Sequence, residues 1–376
     1  RAPKQRAADA ATEPAMTQST RCACHGALPG QNRNNRMGTL NSGGLSPSPV
    51  HTEPHPPATA PVKRVLAVVY TQTGQLSAIA GRLLEPLQGD AGIRVHVETL
   101  RPAREFPFPW PFFRFLDAFP ESALMTPGEI HQPDIPADAR FDLVILFYQV
   151  WFLAPSQPVT AFLKLPQTAR LLAGTPVVTV VACRNMWMMA HARLRPLLAA
   201  LGARHLDNVV FTDTAPTLTT LVTTPLWLLT GRRQSLPGLP PAGVSADDIQ
   251  RGIRFGRALR DALHANREQA AKPLLAGLKA VEAHPELLVS EKAGTRSFHV
   301  WGRLLRLAGP PGAWQRLPLL ACYVIFLVAI ILTVVPVSLG LQALLRPFLR
   351  QRLAAIKNAF EQPSGSGVER LALYDH

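Results

Sequence analysis

A stretch of 29 residues without a charged side chain, from 317 to 345, constrains this chain more than any other part of it. Its centre, 323–335, consists almost wholly of Leu, Ile, Val, Ala and Phe. About 20 predominantly apolar residues suffice to cross a bilayer core. A straight helix of this length would measure about 43 Å at a rise of 1.5 Å per residue, longer than the ~30 Å hydrocarbon layer. The sequence leaves two forms open: a tilted transmembrane helix, or a re-entrant segment bent at Pro336 and Gly340.

Basic residues flank this stretch equally on both sides. The four that precede it are Arg296, Arg303, Arg306 and Arg316, and the four that follow it are Arg346, Arg350, Arg352 and Lys357. The positive-inside rule therefore selects no orientation for a single span, whereas a hairpin would keep both flanks on the cytoplasmic face. Trp301 and Trp314 suit the membrane interface. We expect a bacterial inner-membrane protein with its folded domain in the cytoplasm.

The overall charge agrees with a lipid partner. The chain has 376 residues and a net charge of +14, with 47% hydrophobic and 17% charged residues, which excludes a fully disordered protein. Such a charge attracts nucleic acid or phospholipid. The last 81 residues hold nine basic and three acidic side chains, mostly beside the apolar stretch. This distribution favours membrane lipid over nucleic acid. Four scattered cysteines do not form a disulfide scaffold.

Buried-strand patterns alternate with helical patterns between 61 and 270. The predicted strands are 65–70, 93–99, 141–148, 177–182 and 208–212; the predicted helices are 76–87, 159–172, 186–201 and one that starts at Ser245. This alternation predicts an α/β fold, an open parallel five-stranded sheet with helices on both faces. The remaining parts are predicted as a disordered tail at 1–60, a connector at 271–316, the membrane segment at 317–345 and a basic tail at 346–376. An aromatic insertion at 100–140 and a charge-free run at 214–231 do not fit the alternation.

Three loops at the carboxyl ends of the predicted strands carry the candidate ligand site. The first places Thr71, Thr73 and Gly74 at the amino end of a helix, where the helix dipole and free backbone N–H groups favour a phosphate. The other two supply aromatic and polar side chains. Together they suit a ligand with a phosphate tail and a planar head. The predicted ligand contacts are Thr71, Gln72, Thr73, Gly74, Gln75, Tyr148, Trp151 and Asn185.

Candidate catalytic groups lie in the same region. We predict Tyr148 and His191 for proton transfer and Arg184 for holding a carboxylate, thioester oxygen or phosphate. Cys183 lacks a clearly paired base, so we expect it to be inert. No metal site is predicted, because Cys22, Cys24 and His25 have no second ligand pair at a usable spacing. Four arginines spaced by three, Arg251, Arg254, Arg257 and Arg260, form either a solvated face or a surface for an acyl carrier protein.

Two resemblances bear on these loops. The turn YTQTG resembles the phosphate loop of flavodoxins, and YQVWFLAPSQPVTAFL resembles their second flavin-contacting loop, although Leu76 stands where flavodoxins commonly carry a hydroxyl. Over 63–265, an ordered set of motifs resembles the dialkylresorcinol condensing enzyme family: YTQTGQL, FPFPW, FFRFLDAFPES, YQVWFLAPS, CRNMWMMA, LLTGRR and AGVSADDI.

The resemblance implies a flavodoxin-like fold with FMN as cofactor. It also implies condensation or aromatising cyclisation of fatty acyl-derived β-keto intermediates to alkylresorcinol-type lipids, alongside a ketosynthase. Two alternatives stay open: a membrane-tethered FMN-dependent quinone reductase or electron-transfer flavoprotein, and a non-catalytic membrane scaffold for a ketosynthase. The expected partners are membrane lipid, an apolar acyl substrate, and a ketosynthase or acyl carrier protein, with no nucleic acid.

Overall fold

The computed structural model describes residues 61–136, 138–234 and 236–375. The tail predicted at 1–60, with Cys22, Cys24 and His25, lies outside them. Apolar runs form strands that are buried on both faces of a sheet. The strands are β1 (Lys63–Val69), β2 (Ile93–Thr99), β3 (Leu143–Trp151), β4 (Ala154–Pro155), β5 (Pro176–Cys183) and β6 (Arg204–Thr212).

The sheet has the strand order of a flavodoxin-like fold. Its order is β2-β1-β3-β5-β6, all parallel, and the two-residue β4 pairs antiparallel with the end of β3. Counted along the chain, the five parallel strands lie in the order 2-1-3-4-5, with the topological switch point between β1 and β3. The predicted five-stranded parallel sheet is therefore confirmed, with β4 as a small addition.

Helices cover the sheet and extend beyond it. They are α1 (Gln75–Gln88), α2 (Phe112–Asp117), α3 (Phe119–Ala123), α4 (Gln157–Leu163), α5 (Pro166–Leu172), α6 (Met188–Ala200), α7 (Thr217–Thr230), α8 (Ala246–Arg251), α9 (Ile253–His264), α10 (Leu288–Leu307), α11 (Arg316–Glu361) and α12 (Leu371–Tyr374). Helix α8 begins as expected: the Ser245 hydroxyl accepts a hydrogen bond from the Asp248 N–H at 3.0 Å. Helices α1 and α9 pack so closely that a Cβ on Gly256 would lie 1.9 Å from the Leu83 carbonyl oxygen.

Several predicted boundaries differ from the structure. The helix predicted at 159–172 is two helices, because Leu165 is extended before Pro166. The predicted connector contains the 20-residue helix α10. The charge-free run at 214–231 is largely helix α7, and the aromatic insertion contributes α2 and α3. The apolar stretch and much of the predicted basic tail form one 46-residue helix, α11.

A second, smaller core joins α11 to the domain. The Tyr323 ring stacks on Phe119 with centroids 4.5 Å apart, and Leu320 and Leu305 are buried with them. Helix α10 contacts both α3 and α11. This arrangement places the beginning of the apolar helix beside the loops that follow β3 and β5.

Candidate functional site

A cavity of about 210 Å³ lies beyond the carboxyl ends of β1, β3 and β5, and we call it the edge cavity. The turn before α1, the turns after β3 and β5, and helix α7 supply its walls. Its aromatic lining comes from Trp110, Phe115, Trp151, Phe152 and Trp227. Ligands of open parallel sheets bind at this position, near the switch point.

The first turn of α1 gives the edge cavity a site for an anion. Gly74 precedes the helix with a φ of 80°, no side chain caps the helix, and no acidic residue stands in its first turn. The leading N–H groups of a helix have no intrahelical acceptor, and the helix dipole favours negative charge there. Thr73 lines the cavity, and its hydroxyl makes no hydrogen bond within the described residues. This turn can therefore bind a phosphate through backbone N–H groups and one hydroxyl.

The other polar residues of the turn hold neighbouring segments in place. Gln75 donates to the Val244 carbonyl oxygen at 2.9 Å and accepts from the Val244 N–H at 3.0 Å. Gln72 donates to the Pro107 carbonyl oxygen at 3.0 Å. The Thr71 hydroxyl is buried with no partner in the described part of the chain, and it does not line the edge cavity. Of the predicted contacts in this turn, Thr73 and the helix N–H groups are the best placed for a ligand.

Gly243 closes one side of the cavity. Its φ is 87°, and a Cβ there would lie 2.6 Å from Gln75 Oε1 and 2.9 Å from Trp227 Cζ3. Its N–H donates to Asp213 Oδ2 at 2.8 Å, which ties it to the end of β6. The sequence analysis assigned no site role to Gly243 or Trp227. The only sequence signal near them was the family resemblance of LLTGRR and AGVSADDI.

Arg184 is a half-buried cation with weak partners. Its guanidinium donates to Thr220 Oγ1 at 3.4 Å and lies 3.1 Å from Met186 Sδ. Among the described residues, no carboxylate is within ion-pair distance of it. Burial lowers its pKa, but an arginine stays charged in a protein. Because a buried charge without a counterion is costly, this side chain is prepared to bind an anion.

A second, apolar cavity adjoins the first and has a volume of about 490 Å³. Helices α10 and α11 form most of its wall, and we call it the helix cavity. From α11 it is lined by Phe326, Leu327, Ile330 and Ile331. The two cavities share four lining residues, Val150, Phe152, Cys183 and Arg184. Arg184 therefore stands where the aromatic-lined cavity at the sheet edge meets the apolar cavity beside the long helix.

Besides Thr71 and Gly74, three predicted site residues do not line either cavity. Tyr148 is fully buried in β3, where burial raises its pKa and its hydroxyl has no partner in the described chain. His191 is buried beside Trp187 and His205, and burial lowers its pKa to about 3. Asn185 donates to Thr217 Oγ1 at 3.1 Å and holds the start of α7. We assign none of the three a contact with the ligand.

Trp151 does line the edge cavity, but within an aromatic cluster. Its ring contacts Tyr70, Phe106 and Trp110 at centroid distances of 5.9, 4.8 and 5.9 Å, all near edge-to-face. These rings brace one another, so the cluster forms a rigid wall. A planar ligand would lie against this wall.

Other candidate groups have structural partners. Burial raises the pKa of Cys183, which disfavours the thiolate. In the α8–α9 arginine row, Arg251 pairs with Asp247 and Asp248, Arg254 donates to the Leu278 carbonyl oxygen, and Arg260 pairs with Asp261. No group of three or more His, Cys, Asp or Glu residues in the described ranges is arranged to hold a metal ion.

The largest cavity, of about 770 Å³, lies between the insertion and the loop before α11. Of its charged residues, Arg316 already pairs with Asp117 and Glu121. It is also away from the carboxyl ends of β1, β3 and β5, so we do not place the ligand there.

Glu291 is a titratable group that the sequence analysis missed. It is fully buried on α10, and its carboxylate accepts hydrogen bonds from the N–H groups of Met189 and Met188 at 2.6 and 3.4 Å. It thereby caps α6, next to the wall of the helix cavity. Burial raises its pKa to about 7. Its role depends on the packing of α10 against α6, which the sequence pattern did not reveal.

Comparison with known proteins adds similarities of fold only. No family model and no curated protein matches this chain. A flavoprotein from Lactobacillus acidophilus NCFM, solved in complex with FMN, is 14% identical over 40% of this chain and 93% of its own, with a TM-score of 0.32. A flavodoxin from the domain Archaea is 9% identical over 54% and 99%, with a TM-score of 0.30. Oxidised Flavodoxin 1 from Bacillus cereus is 12% identical over 52% and 95%, with a TM-score of 0.28. The fold assignment therefore rests on the strand order itself.

Proposed function

We propose that this chain is a membrane-attached flavodoxin-like enzyme that binds FMN in the edge cavity and acts on a fatty acyl-derived β-keto intermediate in the helix cavity. One observation carries the proposal: the two cavities meet at Arg184, Cys183, Val150 and Phe152. A redox cofactor in one and an acyl chain in the other would bring their reactive ends together at this junction.

The edge cavity offers binding groups for the two ends of FMN, while its volume of about 210 Å³ is below the usual range of about 300–1,000 Å³ for such ligands. The phosphate would bind the free N–H groups at the start of α1 and the Thr73 hydroxyl. The planar ring would lie against the wall that contains Trp110 and Trp151, with Trp227 opposite the start of α1. When bound, FMN supplies hydride transfer. The protein supplies the anion site, the aromatic wall and the exclusion of water.

The helix cavity fits an acyl chain whose polar end reaches Arg184. Its lining from α10 and α11 is mainly aliphatic and aromatic, so it would bind hydrocarbon by burial. The guanidinium would hold the carboxylate, thioester oxygen or keto oxygen of a β-keto chain. Formation of an alkylresorcinol-type lipid, as in the dialkylresorcinol condensing enzyme family, would use this arrangement to orient the chain for condensation or aromatising cyclisation.

Membrane attachment is proposed through α11. The window Arg316–Thr333 is long and apolar enough to cross a bilayer, and 17% of it is buried. A core helix of a water-soluble protein would be mostly buried, so this degree of exposure favours lipid contact. The proposed location is the bacterial inner membrane, with the flavodoxin-like domain in the cytoplasm.

The test uses the full chain, purified in detergent. We expect a flavin absorption spectrum with one FMN per chain, and resorcinol detected by mass spectrometry when β-keto acyl substrates are supplied with a ketosynthase. Reduction of quinones without resorcinol formation would favour a quinone reductase instead. Absence of FMN after reconstitution, together with no product, would leave the scaffold alternative.

A further inference from the structure

Helix α11 is fastened to the domain at its beginning. Arg316 is 1% exposed, and its guanidinium contacts Glu121 Oε1 at 2.7 Å and Asp117 Oδ1 at 3.1 Å. It also donates to the Gly309 carbonyl oxygen at 2.9 Å. Two turns later, Tyr323 is buried against Phe119. The start of the helix therefore belongs to the folded domain.

The end of α11 is fastened to the same domain. Glu361 accepts a hydrogen bond from the Ala283 N–H at 3.2 Å. Just beyond the helix, the Ser364 hydroxyl donates to Asp207 Oδ1 at 2.8 Å and accepts from the Asn208 N–H at 2.8 Å. These groups are buried at the sheet, and the Val281 N–H donates to the Gly365 carbonyl oxygen at 3.1 Å.

These contacts are incompatible with a straight helix. Ile331 lines the helix cavity together with Met186, while the Phe360 ring lies 6.3 Å from the ring of Trp187, the next residue after Met186. Twenty-nine residues of straight helix would separate positions 331 and 360 by about 43 Å. Positions 331 and 360 instead lie near the adjacent residues Met186 and Trp187, the first across one cavity and the second in ring contact, so they are much closer together than 43 Å. The helix therefore turns back on itself between these positions.

The sequence of the returning part is suited to a bend. Pro336, Gly340 and Pro347 lie within it. Proline removes a helical hydrogen bond, and sharp kinks occur at proline and at Gly/Ser positions. Residues 332–350 would give two limbs of about nine residues each, or about 14 Å. That is half of a ~30 Å hydrocarbon layer, the depth of one leaflet.

The returning part is apolar and unpartnered at its described outward positions. Leu332, Val337, Leu344 and Phe348 are 70–84% exposed. Elsewhere on the domain, α10 exposes Val289 and α7 exposes Leu218. Arg350 and Arg352 stand exposed on α11 where this part ends, and Arg303 is exposed on α10. Apolar side chains followed by basic ones match a leaflet with anionic headgroups.

We propose that α11 is re-entrant: it enters the leaflet that faces the domain and leaves by the same face, without crossing the bilayer. The proposal takes only membrane attachment from the proposed function and is independent of FMN and of the reaction. A crossing helix would hold Glu361 and Ser364 about 30 Å from Ala283 and Asp207. All four groups are instead in contact, in two pairs.

Single cysteines in the full chain test this topology. All four native cysteines, Cys22, Cys24, Cys183 and Cys322, are first replaced by serine, because Cys183 is only half-buried and lines both cavities. Trp314→Cys reports the flank before the bend, Arg350→Cys the flank after it, and Val337→Cys the bend itself. Asp247→Cys, on the exposed side of α8, marks the face on which the domain lies. Sealed membrane vesicles of both orientations are treated with a membrane-impermeant maleimide, with and without detergent.

We expect positions 314 and 350 to react from the same face as position 247, and position 337 to react only after detergent is added. Labelling of 314 and 350 from opposite faces would overturn the re-entrant form while leaving the proposed function in place. Labelling of 337 without detergent at the rate of the flanks would show that the bend lies in water and would overturn the re-entrant form. Complete release of the protein by alkaline carbonate would remove membrane attachment itself.

Discussion

The Thr73 hydroxyl offers the sharpest test of the phosphate site, because the same turn provides its own control. Thr73 lines the edge cavity and has no hydrogen-bond partner within the described residues. Thr71, two positions earlier, has a buried hydroxyl that does not line the cavity. Replacing each by valine removes one hydroxyl and keeps the shape of the side chain. The two variants thus differ only in whether the lost hydroxyl faces the ligand.

We expect Thr73→Val to weaken FMN binding strongly and Thr71→Val to leave it nearly unchanged. A hydrogen bond to a charged group contributes about 1.5–3 kcal/mol. That range corresponds to a rise in the FMN Kd of about 10- to 150-fold. Thr71→Val removes a buried hydroxyl that has no partner, so it should keep or raise the stability of the apoprotein. Thr73→Ser keeps a hydroxyl and should keep most of the affinity.

The measurement is a fluorescence titration of FMN into the apoprotein of the full chain, with urea unfolding of each apo variant. A change of less than threefold in the Kd of Thr73→Val would refute the phosphate site at α1. A large loss for Thr71→Val with Thr73→Val unaffected would also refute it, and would place the ligand on the other side of the turn. Equal losses accompanied by unfolding would show a structural role for both hydroxyls.

Three further predictions concern single positions with matched controls. Gly243→Ala should destabilise the protein by about 2–4 kcal/mol, because of the positive φ and of overpacking, and should also weaken FMN binding. Gly238→Ala is the control: its φ is 80° but the space around it is open, so urea unfolding should show only the cost of the positive φ, and the FMN titration should show no change. Arg184→Gln should lower kcat/KM for the acyl substrate by about 10- to 100-fold while Arg260→Gln leaves it unchanged; equal rates for both would exclude the junction as the substrate site. Burial raises the pKa of Glu291 from 4.5 to about 7, so the folded state binds this proton more tightly; the resulting stabilisation of about 3 kcal/mol is complete below pH 4.5 and is lost as the pH rises through 7. Glu291→Gln should flatten this loss of stability in urea midpoints measured from pH 5 to 8, and an unchanged slope would contradict the prediction.

The sheet was predictable from the sequence because its strands are buried on both faces. The run predicted at 177–182 became β5, Pro176–Cys183, since continuous apolar residues of that length fit few other environments. Helix α10 was not predicted: it packs on α3 and α11 but also exposes Val289 and Val300, and the contacts that select its buried face are tertiary. Its boundaries depend on tertiary contacts that no local pattern contains.

The candidate site was predictable only where it follows the strands. Thr73 and Arg184 directly follow β1 and β5, so their place at the carboxyl edge follows from the parallel sheet. Gly243 reaches the cavity through its hydrogen bond to Asp213, a contact between loops distant in the chain. For His191, helical spacing put it on the same face as Trp187, and their rings are 5.8 Å apart. That face packs into the core, because helical periodicity shows which residues share a face but not whether that face points to the core or to the ligand site.

The proposed re-entrant form of α11 is physically connected with the position of the two cavities. The residues of α11 that wall the helix cavity, Phe326 to Ile331, are the last ones before the helix leaves the domain. An amphiphile in the same leaflet would therefore meet the cavity directly, with its acyl chain never exposed to water. Its polar end would reach Arg184, which lines the cavity. Because a cation without a counterion is costly away from water, an anionic or keto group would bind favourably there. A transmembrane helix would present this wall to the bilayer equally well, but it would pull Glu361 away from the domain. The contacts at both ends thus favour the proposed topology, which would also deliver the proposed substrate.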